Sequence, residues 1–172
     1  FADALADALE SGTVSDAVIA SSGVQSRRFW RMREDLAEAQ KAAGGSIAHD
    51  VSVPVSRIGR FIAEADAALE RAYPRIRHCA FGHVGDGNLH FNFSQPVDAD
   101  TEAYLARWDE VNRVVNQIAV AHGGSISAEH GIGFAKRDEA RRYKSAVELG
   151  LLRRIKEALD PKGIMNPGKG GA

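Results

Sequence analysis

Apolar side chains recur at alternating spacings of three and four over residues 55–72, where Val55, Ile58, Ile62, Ala65, Leu69 and Ala72 share one stripe. That is the period of an α-helix. Pro54 stands at its start, where a missing N–H costs nothing. A second stripe, Tyr104, Trp108, Val111, Val115 and Ile118, predicts a helix over 100–121 that stops at Gly123-Gly124. Leu151, Leu152, Ile155, Ala158 and Leu159 predict a helix over 147–159, with Pro161 just beyond. Trp30, Arg33, Leu36, Ala37 and Gln40 predict another over 24–42, and a short helical piece fits 137–145.

Between these lie β-branched runs bounded by turn residues, which predict strands over 15–20, 46–53, 75–83, 89–93 and 125–128. The order β-α-β-α-β-β-α-β-α implies an α+β fold, an antiparallel sheet with helices packed on one face. A ferredoxin-like, split βαβ arrangement is the nearest simple type. The 172 residues read as one domain, and 44% apolar content supports a packed core.

Charge changes the picture only by exclusion. Lys and Arg number 22 against 23 Asp and Glu, a net charge of −1, so a generally basic nucleic-acid binder is ruled out. One cysteine, Cys79, rules out a disulfide scaffold and fits a reducing compartment such as the cytoplasm. It reads as a small buried hydrophobe. No apolar run approaches the ~20 residues that span a bilayer.

Chemistry concentrates in GHVGDGNLHFN, residues 82–92. Asp86-Gly87 between two strands suits a two-residue type I′ turn, which would set His83 directly across from His90. Asn92 then shares the face of His90. Two imidazoles on one face suit a divalent metal, Zn²⁺ being the commonest for nitrogen ligands. A third ligand is sought in GGSISAEHGIG, residues 123–133, where Glu129 completes a His₂Glu set and leaves His130 free for proton transfer. Taken on its residues alone, Arg33 pairs with Glu34 or Asp35 or reaches solvent, or else clamps a carboxylate.

The strings GHVGDGNLHFN, GGSISAEHGIGFAKR (123–137) and ALDPKGIMNPGK (158–169) together resemble the C-terminal half of FAD-linked oxidases. This flavoprotein group includes D-lactate dehydrogenases, the glycolate oxidase catalytic subunit and D-2-hydroxyglutarate dehydrogenase. The resemblance implies oxidation of a D-2-hydroxy acid to the 2-oxo acid, with hydride passing to FAD and on to an electron acceptor. It implies an N-terminal FAD-binding domain outside this chain, so that the chain alone is inactive; a homodimer is among the expected assemblies. On matching positions, His83, His90 and Glu129 resemble ligands of Zn²⁺ or Mn²⁺, and His130 the base that takes the hydroxyl proton. Arg33 and Asn92 resemble substrate-binding residues. Asn166, Pro167 and Gly168 resemble groups that approach the flavin, as does Lys136.

One position departs from the pattern. Relatives selective for dicarboxylates carry a lysine two residues before the aspartate of HDVSVP, where this chain has Ala48. That implies a substrate with one carboxylate, or a distal group reached by another residue. Two competing expectations are a self-contained metallohydrolase with a His₂Glu site and a non-catalytic subunit docking on a separate flavoprotein.

Overall fold

The computed structural model describes residues 1–169. The chain divides into two compact units, residues 1–42 and residues 43 onward. The first is helical: α1 (Ala2–Glu10), α2 (Gly23–Glu34) and α3 (Leu36–Ala42). Ser22 caps α2 by accepting from the Gln25 N–H at 3.3 Å. The single helix expected over 24–42 is broken at Asp35, whose carboxylate turns back to Arg31 Nε at 3.4 Å. Aspartate has low helix propensity, and at Asp35 the chain closes α2 with the Asp35 N–H still bonded to Arg31 O. Residues 15–20 are irregular rather than a strand, with Val18 71% exposed. β-Branched residues favour a strand only where a neighbouring strand and a packed face exist.

The second unit carries the sheet. Its strands are β1 (Ser46–Ile47), β2 (Asp50–Ser52), β3 (Arg77–His83) and β4 (Asn88–Ser94), all pairing antiparallel on β4. β1 and β2 keep one register, Ser46 opposite Ser94 and Ser52 opposite Asn88. They are one strand interrupted where the His49 N–H donates to the Asn92 Oδ1 at 3.1 Å. β4 lies between this strand and β3, the split βαβ order that the sequence predicts. The strand expected over 125–128 is reduced to one bridge, Ser52 to Ser125.

α4 (Ile58–Ala72) and α6 (Trp108–Ala121) pack on each other, and α6 also packs on the interrupted strand. The helix expected over 100–121 is divided into α5 (Thr101–Leu105) and α6, and the Tyr104 hydroxyl pins α5 by donating to Phe93 O at 2.9 Å. α6 stops at the double glycine as its sequence predicts. A side chain on Gly124 would place a Cβ 2.0 Å from Ser52 O. α7 (Arg137–Tyr143) and α8 (Ala146–Leu159) follow, α8 opening with a Ser145–Glu148 capping box.

Alternation on β4 separates core from site. Leu89, Phe91 and Phe93 are buried, with Phe91 5.0 Å from Phe61 of α4, while Asn88, His90 and Asn92 take the opposite face. Each fully buried phenylalanine is worth roughly 1.5–3 kcal/mol, so Phe91 and Phe93 fix which face is which. The polar face is where the chemistry gathers.

Candidate metal and proton-transfer site

The β3–β4 connection is longer than a two-residue turn. His83 pairs with Asn88, leaving 84–87 as the loop. A 3₁₀ turn over Val84–Asp86 is followed by Gly87 at φ 79°, and the Asn88 N–H donates to Asp86 Oδ1 at 3.1 Å. Gly87 is required there, since a Cβ would lie 2.1 Å from Val53 O. The register is therefore displaced by two from the type I′ expectation. Phe81, not His83, lies across from His90. A shift of two preserves the face, so His83 stays on the side of His90 and Asn92, one pair nearer the turn.

Four side chains bring ligand atoms within 4.8 Å of one another: Asp50, His90, Glu129 and His130. Three are residues singled out in the sequence. His90 Nε2 is 2.9 Å from Glu129 Oε1, and His130 Nε2 is 3.6 Å from the same oxygen. The rings of His90 and His130 lie 5.6 Å apart at 31°. His83, exposed at the end of β3, is not among the four. Its cross-strand partner Asn88 nevertheless donates to Glu129 Oε2 at 3.0 Å.

Asn88 and Asp50 are functional candidates that sequence reasoning missed. Asn88 Oδ1 is buried with no hydrogen-bond partner among the described residues, an acceptor beside the carboxylate of Glu129. Period-two spacing with His90 and Asn92 could have pointed to it. Asp50 comes from β2, directly opposite His90. Burial pushes its carboxyl up, but the His130 N–H, the Ser127 hydroxyl, the Glu129 N–H and Lys136 outweigh this and hold it below the usual carboxylate value. Only the strand pairing reveals it.

The remaining predicted residues are spread. Asn92 is buried and accepts from His49. Lys136 turns its ammonium to the carbonyls of Asp50 at 3.2 Å and Ile126 at 2.8 Å. Burial lowers its pKa, and Asp50 opposes the fall. Asn166, Pro167 and Gly168 occupy an exposed loop in which Asn166 has φ 47°. Asp160 organises that loop by accepting the N–H groups of Ile164 at 3.0 Å and Met165 at 2.9 Å. Arg33 is half-buried on α2 of the first unit.

His90 and Glu129 converge beside an unsatisfied amide oxygen, donors suited to a divalent ion, with the His130 ring next to them. His130, 63% exposed at its side chain, is placed to exchange a proton with a bound molecule. No helix among the described residues is long and apolar enough to cross a membrane.

The family model for FAD linked oxidases, C-terminal domain, matches residues 2–170. The chain is similar to a protein of Xanthomonas citri pv. viticola named D-2-hydroxyglutarate dehydrogenase, 44% identical over 162 residues, 94% of this chain and 34% of that protein. A protein of the same name from Stutzerimonas stutzeri is 37% identical over 167 residues, again 94% and 34%. A third, named D-2-hydroxyglutarate dehydrogenase, mitochondrial, from Arabidopsis thaliana, is 39% identical over 170 residues, 96% and 28%. The chain thus spans about a third of the length of the curated relatives it matches.

Proposed function

Because the chain belongs to the family of FAD linked oxidases, C-terminal domain, we propose that it forms the substrate- and metal-binding part of a flavoprotein that oxidises a D-2-hydroxy acid to the 2-oxo acid. The observation that carries this reading is the convergence of His90, Glu129 and His130, with His90 on the sheet face opposite Leu89, Phe91 and Phe93. The names borne by its relatives favour 2-hydroxyglutarate as the substrate class.

His90 and Glu129, with His83 from the same face, would hold a divalent ion, Zn²⁺ or Mn²⁺. Such an ion supplies positive charge that makes a nearby hydroxyl more acidic. His130 would take the hydroxyl proton, and a flavin, bound for the most part outside this chain, would supply the acceptor for the C2 hydride. Asn88 keeps Glu129 oriented by donating to its second oxygen. Asn92 is a substrate-binding residue on this reading, and Arg33 of the first unit is separately a candidate for a substrate carboxylate, which suits a guanidinium. Asn166, Pro167 and Gly168 approach the flavin; the loop that carries them borders a groove of about 570 Å³ with apolar walls from Leu152, Ile155 and Met165. Lys136 supports the site from beneath the loop.

Anaerobic mixing of the intact flavoprotein with D- and L-2-hydroxy acids tests the proposal. Bleaching of the flavin by the D-acid alone, lost on chelation and restored by a divalent ion, is the expected result. Bleaching that is indifferent to chelation would remove the metal from the reaction.

A further inference from the structure

Glu129 and His130 belong to an irregular loop, and a loop by itself does not hold two reacting side chains in register with a third on a sheet. The fixture is visible on the neighbouring strand. Asp50, 4% exposed, accepts at Oδ2 from Ser127 Oγ at 2.9 Å, the His130 N–H at 3.0 Å and the Ala128 N–H at 3.2 Å. Its Oδ1 accepts the Glu129 N–H at 3.2 Å. Three successive backbone N–H groups thus close around one carboxylate, the geometry of an anion nest with the anion supplied by the protein itself. Lys136, 3.7 Å from Oδ2, ties the Asp50 and Ile126 carbonyls together below the loop. Asp50 is also the register partner of His90.

Resting on the metal-site reading above, we infer that Asp50 is the positioning residue of the site, a buried carboxylate that fixes the backbone of 128–130 so that Glu129 and His130 face His90. Asp50 acts through the loop rather than as a ligand. A carboxylate oxygen offers about two lone pairs, and Oδ2 already receives three close donors with an ammonium nearby. A metal ion at Oδ2 would have to displace them, and one at Oδ1 would have to share that oxygen with the Glu129 N–H. The hydrogen bonds are charge-assisted and shielded from water, which makes them strong enough to order a loop.

The test uses Asp50→Asn in the intact protein and two readouts: hydrogen exchange of the 128–130 amides in the metal-free state, and affinity for Co²⁺ followed by its visible absorption. Faster exchange together with an affinity loss of about 10–100-fold, the usual size for a residue that orients ligands, is expected. Weaker Co²⁺ binding with unchanged exchange would make Asp50 a ligand and overturn the inference. Faster exchange with unchanged affinity, or no change in either, would overturn it as well. Should Asp50→Asn fail to fold, Ser127→Ala removes one donor only, and the same two quantities should move in the same direction by less; no movement in either counts against the inference. If the unsubstituted protein takes up no Co²⁺, the metal reading falls, and exchange in Asp50→Asn still decides whether Asp50 anchors the loop.

Discussion

Phe81 lies directly across the hairpin from His90, with ring centroids 5.0 Å apart and planes inclined by 37°. The imidazole is therefore bounded by Phe81 on one strand and by the His130 ring, 5.6 Å away. Aromatic pairs of this kind contribute about 0.5–1.5 kcal/mol beyond burial. Phe81→Ala should free the His90 ring and weaken divalent-ion affinity by about 2–13-fold, the same free energy expressed as a ratio. Isothermal titration with Zn²⁺ or Mn²⁺ measures it, and unchanged affinity would show that Phe81 does not position His90.

His130 and Glu129 should separate on substitution. His130→Ala removes the proton acceptor and should lower flavin reduction by about 10²–10⁴-fold while metal uptake survives. Glu129→Gln should instead lower metal affinity, because the neutral amide gives up the carboxylate's charge. Stopped-flow reduction and metal content, measured on both variants, distinguish the two losses. Equal loss of metal in His130→Ala would mean that His130 is a ligand rather than a base.

His49 gives the fold a pH dependence of known sign. Its ring Nδ1 donates to Phe91 O at 2.7 Å, and its Nε2 is buried without a partner among the described residues. Burial drives the imidazole down to about 4; the Phe91 carbonyl pulls the other way, and Lys136 adds to the fall. The folded value lies below the unfolded one near 6.5, so the unfolded chain takes up the proton first. Stability should be full above pH about 6.5 and decline by about 3 kcal/mol toward pH 4. Denaturant unfolding between pH 7 and pH 4 checks this, and His49→Leu should flatten that window.

Ala48 continues the register of the interrupted strand and falls opposite Asn92, exposed on the face that carries the site. A lysine there adds a cation within reach of a bound acid. Ala48→Lys should raise kcat/KM for D-2-hydroxyglutarate over D-lactate by about tenfold or more, the value of one charge-assisted hydrogen bond. A ratio that does not move would place the distal carboxylate elsewhere.

Periodicity located α4 and α8 because their stripes are long and their ends carry stop signals. The hairpin strands and the face shared by His90 and Asn92 were equally legible. The register was not: an Asp-Gly pair fits both a two-residue turn and the end of a four-residue one, and only the contact of Gly87 with Val53 decides between them. α1 is amphipathic but only nine residues long, and no side-chain cap marks its start, so the sequence carries no start signal for it. Asp50 stood in plain sight within HDVSVP, yet its partners are 77 to 80 residues away. Long-range pairing of that kind leaves no local trace. Glu129 and His130 were found from residue type and glycine context, not from any knowledge of what holds them.

The odd and even positions of β4 divide its labour: phenylalanines into the core, imidazole and amides to the opposite side. A slip of one residue during folding would export Phe91 and Phe93 to water and bury His90 against α4. A molecule with scrambled chemistry would thus forfeit its hydrophobic stabilisation at the same stroke. Oil-and-water sorting acts here as the proofreader of the reacting groups, and no separate quality check on their alignment is needed.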